Sequence, residues 1–305
     1  MRQFFERLAA AGKASRPDLV EKDFWLHCLL HGISKDDYLA GKIVFKGGTC
    51  LIKAYLGYYR FSEDADFTWK DAGIWKGRSK NETARACSAE IDNVLVALKR
   101  ISAQQGLSFR GDKRDMTEVN MGSGGRMVRF FLRYNSEVTG NPSTIKVELN
   151  FEELILHRPR KRRLRSFIER FETEELRFLF RDDCDRYGAS ISMTCYDPRE
   201  IFAEKCRAYL TRLATKLRDP LDICFLQERY GYQIKDNERE ILAKTRFILD
   251  LYSRYRNNLY RLRHSSPPLV SGGEELKLLL APGPPGLNAR LLAVQEELHA
   301  VALRI

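Results

Sequence analysis

Asp64 and Asp66 stand two apart in a run, Ala65-Asp66-Phe67-Thr68-Trp69, that has strand character. Alternation along a strand puts both carboxylates on one face and turns Ala65, Phe67 and Trp69 toward a core. Two carboxylates aimed at one point repel each other unless a cation lies between them. Mg²⁺ is the natural cation, because it takes hard oxygen ligands, typically one or two carboxylates together with substrate phosphates and water. Further on, Ile145-Lys146-Val147-Glu148-Leu149-Asn150-Phe151 alternates strictly. Ile145, Val147, Leu149 and Phe151 share its apolar face, so Glu148 lies on the polar one and could complete a three-carboxylate cluster. Such a set suits two-metal phosphoryl transfer, in which one ion activates the attacking oxygen and the other stabilises the departing pyrophosphate.

The element that must face these acids begins at Ile43-Val44-Phe45-Lys46, a short β-branched run ending at Gly47-Gly48-Thr49. It predicts a buried strand entering a tight turn, then a helix from about Cys50 to Leu56. Glycines let backbone approach a triphosphate closely, and a helix N-terminus offers free N–H groups and a favourable dipole. Thr49 could add a hydroxyl donor. A diglycine after a strand, or an Asp-x-Asp on a solvated edge, is common by itself. The two in this order, with fifteen residues between Gly48 and Asp64, form a specific pattern.

Other candidates have blander readings. His27 and His31 are four apart and could share a helix face, but no third ligand lies near them, and such pairs usually pack or face solvent. Gly122-Ser123-Gly124-Gly125 reads as a hairpin turn between strands at about 115–120 and 126–134, since no Lys-Ser/Thr and no helix follow it. The seven cysteines are scattered without a C-x-x-C pair, as expected of reduced packing residues. Arg158, Arg160, Lys161, Arg162, Arg163 and Arg165 form a cationic run that is either a phosphate-binding stripe or a solvated face.

Around these motifs, Ser15-Arg16-Pro17-Asp18 has the capping-box form and predicts a helix through Val20, Phe24, Cys28 and Leu29 that stops near Gly32. A core helix is predicted over 82–103. From Pro198 onward the chain reads as mainly helical, with apolar positions at Ile248, Leu251, Tyr252, Tyr255, Leu259 and Leu262. A Pro/Gly/Ser-rich loop is expected over 264–286 and a final helix from about Leu287 to Leu303. The expected division is a core lobe, 1–196, and a helical lobe, 197–305. The 305 residues are 44% apolar and 30% charged, an ordinary globular composition, and 52 Lys plus Arg against 41 Asp plus Glu leave a charge of +11. That surplus favours an anionic partner such as nucleic acid or nucleotide. No apolar stretch approaches the roughly 20 residues of a membrane span, and the N-terminus carries no signal-peptide core, so a cytoplasmic location is expected.

Taken together, these motifs resemble the DNA polymerase β-like nucleotidyltransferase superfamily and, more narrowly, the AbiEii/AbiGii toxin family, including the MenT-type toxins. The matching residues are Glu21-Lys22-Asp23-Phe24-Trp25, Lys46-Gly47-Gly48-Thr49, Arg60-Phe61-Ser62-Glu63-Asp64-Ala65-Asp66, Glu204-Lys205-Cys206-Arg207-Ala208 and Arg218-Asp219-Pro220-Leu221-Asp222. The resemblance runs to about residue 225. It implies an α+β fold, a mixed sheet flanked by helices with a mainly helical C-terminal lobe. It further implies a toxin that transfers NMP from NTP to RNA, most commonly a tRNA 3′ end, with two Mg²⁺ ions and a cognate antitoxin as partner; a membrane partner is not expected. Asp64 and Asp66 match the family's metal acids, and Glu148 stands where a third acid, more often Asp, is expected. Lys205 matches a lysine near the nucleotide phosphates, although its sequence alone also fits an ordinary amphipathic helix. Asp219 and Asp222 match acids that face the cleft as base or orienting groups; the alternative for both is a salt bridge with Arg218 or Lys216. Gly47, Gly48, Thr49 and Ser62 fall in the nucleotide-binding set, and a serine at position 62 can be modified in the family to silence the toxin. Arg158, Arg160, Lys161, Arg162 and Arg163, with a helix carrying Arg254, Arg256, Arg261 and Arg263, would contact RNA phosphates. The segment after Gly48 is longer than in many small-molecule nucleotidyltransferases, which predicts an extra helical turn before Asp64. The alternatives are transfer to a protein or small molecule through the same acids, and a catalytically silent nucleic-acid-binding module.

Overall fold

The β-branched and alternating runs assemble into one seven-stranded mixed sheet in the computed structural model, which describes residues 1–71, 73, 77–171, 174–213, 216–264 and 279–305. The strands are β1 (Ile43–Lys46), β2 (Asp64–Trp69), β3 (Val119–Gly122), β4 (Met127–Asn135), β5 (Pro142–Asn150), β6 (Arg160–Leu164) and β7 (Ile191–Cys195), in the order β3-β4-β5-β2-β1-β7-β6. The β2–β5 and β1–β7 pairs are parallel and the rest antiparallel. The fold is therefore α+β, as expected. All seven strands belong to one compact unit, Met1–Glu153 with Pro159–Tyr196; the second unit comprises Leu154–Arg158 and Asp197–Ile305. No helix among the described residues is long and apolar enough to cross a membrane.

One face of the sheet is apolar and covered. Helices α2 (Pro17–Lys35), α3 (Asp37–Lys42) and α5 (Lys80–Gln105) bring Ile33, Leu39, Val94 and Leu98 against Phe67, Phe130, Val147 and Leu149. The first helix, α1 (Arg2–Ala11), buries Phe4 and Phe5 against Phe24 of α2. Because strand side chains alternate, covering this face commits the opposite one to Asp64, Asp66, Lys146 and Glu148.

Helix α2 does more than pack. Glu21 accepts hydrogen bonds from Ser136 Oγ and the N–H groups of Glu137 and Val138, which fixes the β4–β5 turn. Lys22 pairs with Glu63 at 2.7 Å. Asp23 pairs with Lys53 and accepts the hydroxyls of Tyr58 and Tyr187. Burial lowers the Lys53 pKa below its ordinary value and raises those of both tyrosines. His27 is buried with Nε2 donating to Ala189 O, and no metal ligand set forms around it among the described residues.

Several boundaries differ from the sequence expectations. The α2 N-cap is Arg16 rather than Ser15: Pro17 starts the helix, Arg16 turns its guanidinium onto Asp18, and no side-chain capping bond forms. The helix also runs past Gly32 to Lys35. Strand β3 begins only at Val119, because the N–H groups of Glu118 and Val119 are taken by Asp115 O in the preceding turn. The helix expected from about Cys50 starts earlier, at the diglycine itself: α4 (Gly47–Leu51) continues into a π-helical turn, Ile52–Leu56. Two short helices, α6 (Glu174–Leu179) and α7 (Arg181–Tyr187), lead to β7. All seven cysteines are free and buried.

The second unit is built on α8 (Pro198–Thr211), against which α9 (Arg218–Tyr230), α10 (Glu238–Leu251), α11 (Ser253–His264) and α12 (Leu287–Arg304) pack. Fully buried Glu200 pairs with Lys244 and accepts the N–H groups of Leu156 and His157, pinning the 154–158 segment to this unit. The apolar series from Ile248 to Leu262 does not form one helix. Tyr252 is extended, and Arg256 caps the end of α10 by donating to Leu249 O. Most of the loop expected over 264–286 lies at 265–278, outside the described residues.

Candidate functional site

On the uncovered face, sheet register converts sequence spacing into a row of charge. Asp66 on β2 stands opposite Lys46 on β1 and Glu148 on β5, and Glu148 stands opposite Arg129 on β4. One step along, Asp64 faces Lys146. The three acids are thus on adjacent strands and the same face. Asp64 Oδ2 lies 2.8 Å from Lys146 Nζ, and Glu148 Oε2 lies 2.9 Å from Arg129 Nε. Burial, reinforced by Glu148 and Asp64, pushes the pKa of Asp66 up to about 6 against the lowering influence of Lys46. Lys46 is itself held away: its ammonium is buried 2.7 Å from Glu153, which also accepts from Asn150 and Tyr196.

The diglycine fits against this face without room for side chains. Gly47 has φ +76°, and a Cβ there would come 2.3 Å from Asp66 Oδ2. A Cβ on Gly48 would meet Arg60 Nη2 at 2.8 Å and Ser62 Oγ at 3.2 Å. Glycine is required at 47 twice over, by its left-handed backbone and by the carboxylate it touches. Thr49 Oγ1 bonds Ser62 Oγ at 2.8 Å and also Asp64 O, so this hydroxyl ties the turn to the start of β2.

In the helical unit, Lys205 on α8 lies 3.0 Å from Asp219 and 2.7 Å from Asp222, both on α9 and both buried. Asp219 also pairs with Arg212. The partners of these acids thus include Lys205 and Arg212. Three residues that the resemblance groups together are in mutual contact here.

The cationic run divides. Arg160, Lys161, Arg162 and Arg163 lie on β6, an edge strand, whereas Arg158 belongs to the helical unit. Arg162 stacks on Tyr55, and Arg163 pairs with Glu169 at 2.7 Å. Arg160, Lys161 and Arg163 are exposed. On α11, Arg254 stacks on Tyr252 and Tyr255, and Arg263 donates to Ala302 O. Arg256 and Arg263 thus serve the fold.

The model of one family, described as the nucleotidyl transferase AbiEii toxin of type IV toxin–antitoxin systems, matches residues 29–282. The chain belongs to the AbiEii family. It is accordingly a nucleotidyltransferase of the toxin–antitoxin type, a class that takes NTP as substrate and has an antitoxin as partner. No curated protein matches the chain. Among solved structures, JHP933 from Helicobacter pylori is similar at 15% identity and a TM-score of 0.44, covering 94% of this chain and 92% of its own. A second H. pylori structure, described as a candidate nucleotidyltransferase, is similar at 15% identity and TM-score 0.43, with 93% and 94% covered.

AbiEii nucleotidyltransferases typically use a divalent metal. The donor set fits one: three hard-oxygen side chains share a face, and burial, with the neighbouring acids adding to it, raises the pKa of Asp66. As the side chains stand, no three His, Cys, Asp or Glu among the described residues converge on one point, because Asp64 and Glu148 are turned onto Lys146 and Arg129. These two cations are the residues sequence reasoning misses. Lys146 was legible in principle, since it alternates onto the same face as Glu148. Arg129 becomes visible only with the β4–β5 register.

Proposed function

We propose that this AbiEii-family chain transfers a nucleoside monophosphate from NTP to the 3′ end of tRNA, with Mg²⁺ held by Asp64, Asp66 and Glu148, and so blocks translation. The observation that carries this reading is the register that sets these three acids on one face beside the Gly47-Gly48 turn. In the reaction the acceptor hydroxyl oxygen bonds the α-phosphorus as the bond to pyrophosphate breaks. When bound, two Mg²⁺ ions would supply activation of that hydroxyl and charge stabilisation of the leaving group. Gly47 and Gly48 let the turn close against Asp66, Arg60 and Ser62, beside the backbone that would meet the phosphates. Lys205, held by Asp219 and Asp222 in the second unit, is the cation that the family resemblance would assign to nucleotide phosphates. Exposed Arg160, Lys161 and Arg163 on the β6 edge suit the RNA backbone, in keeping with the charge of +11. Ser62, bonded to Thr49 beside Gly48, is placed where an added phosphate would repel the acids and block the turn.

The test is incubation with each labelled NTP, Mg²⁺ and total RNA, for the wild type and Asp64→Ala. Label is expected in tRNA with the wild type alone. Equal labelling by both proteins would overturn the mechanism. Label in protein but never in RNA would overturn the acceptor while leaving the enzyme class standing.

A further inference from the structure

The two ion pairs on the carboxylate face, Lys146–Asp64 and Arg129–Glu148, differ from the Lys46–Glu153 pair beside them. Lys46 is 6% exposed, locked onto Glu153, and Glu153 is in turn held by Asn150 and Tyr196. Lys146 and Asp64 are 30% and 29% exposed, and Arg129 and Glu148 are 35% and 23% exposed. Pairs this open are screened by water and hold weakly. Lys46 is built as a fixed charge, whereas Lys146 and Arg129 are free to exchange partners. Both also sit on two of the three acids assigned to the metal, so that two positive charges offset all but one of three negative ones.

From this geometry we infer that Lys146 and Arg129 are placeholders, which hold Asp64 and Glu148 apart until a divalent cation enters and then transfer to phosphate groups of the substrate. The inference rests on the carboxylate–metal reading above. A cation binding Asp64 and Glu148 competes with both pairs, because it draws on the same two carboxylates that Lys146 and Arg129 hold at under 3 Å. The released ammonium and guanidinium remain on β5 and β4, beside the acids, as surplus positive charge. Phosphate oxygens are the natural recipients, and a guanidinium can engage two of them at once. The pairs therefore order the events: cation first, phosphate second.

Calorimetric titration without turnover tests this. Mn²⁺ is titrated into the wild type, Arg129→Gln and Lys146→Gln, followed by inorganic tripolyphosphate or a single-stranded RNA oligonucleotide at saturating Mn²⁺. Removing a competitor should tighten Mn²⁺ binding about threefold to tenfold, and removing a phosphate ligand should weaken one polyanion by a similar factor. These opposite signs exclude simple damage to the fold, which would weaken both. Weaker tripolyphosphate binding marks the nucleotide as the recipient, and weaker RNA binding marks the acceptor; unchanged affinity for both overturns the hand-off. Mn²⁺ bound equally or more weakly by both variants overturns the placeholder role alone. A wild type that takes up no Mn²⁺ overturns the carboxylate–metal reading itself.

Discussion

A single methyl group at position 47 should cost this protein both stability and catalysis. In Gly47→Ala the new Cβ would lie 2.3 Å from Asp66 Oδ2 and 3.0 Å from Asp66 Cβ, on a backbone with φ +76°. The left-handed conformation costs a non-glycine residue about 1–3 kcal/mol. Relieving the contact requires Asp66 to retreat by about 1 Å, and misplacement on that scale costs on the order of 10²-fold in rate. The expected variant is folded, about 1–3 kcal/mol less stable in urea, and roughly a hundredfold slower in NTP-dependent label transfer. Gly48→Ala is the graded comparison, since its Cβ meets the far end of the flexible Arg60 side chain. Gly41→Ala is the control, with nothing within 4 Å of the added carbon. If Gly47→Ala loses stability but keeps wild-type turnover, the argument that this glycine fixes a metal acid is refuted.

Three further outcomes follow from the geometry. Lys205→Ala leaves Asp219 and Asp222 without their shared ammonium and should cost about 3 kcal/mol in urea unfolding, with Lys205→Arg recovering part of it. Buried His27 has its pKa lowered to about 3, so the unfolded state binds the extra proton between there and about 6.5. Stability should therefore fall as pH drops through that window, with His27 contributing up to about 1.4 kcal/mol per pH unit, and His27→Gln should flatten the slope measured by denaturant titration. Replacing Arg160, Lys161 and Arg163 by Ala should weaken tRNA binding across sequences and reduce the salt slope of log K by about two, read by filter binding at several salt concentrations. An unchanged slope would remove β6 from the RNA contact.

The pattern that is strictly local was readable from the sequence. Alternation over 64–69 and 145–151 assigns the inward and outward faces of β2 and β5, and the tight turn after β1 follows from its diglycine after a β-branched run. What the sequence hides is partner choice across the sheet. Arg129 lies nineteen residues from Glu148, and only the β4–β5 pairing puts them opposite each other. The same holds for Lys205, whose neighbours suggest an amphipathic helix although its ammonium is held by two acids of the next one. Local signals misled where a side chain was committed elsewhere, as when Arg16 and Pro17 displaced the Ser15 cap, or when Arg256 ended α10 at a spacing that reads as continuous helix.

Glu21, Lys22 and Asp23 reach three segments far apart in the chain: the 136–138 turn, Glu63 ahead of β2, and Lys53 in the π-helical turn. Consecutive helical residues point about 100° apart, so no small rotation of α2 can release one attachment and keep the other two. These segments should open as one cooperative unit in amide exchange rather than fray singly. The flanks of the carboxylate face thereby share a single local stability, set by one turn of one helix.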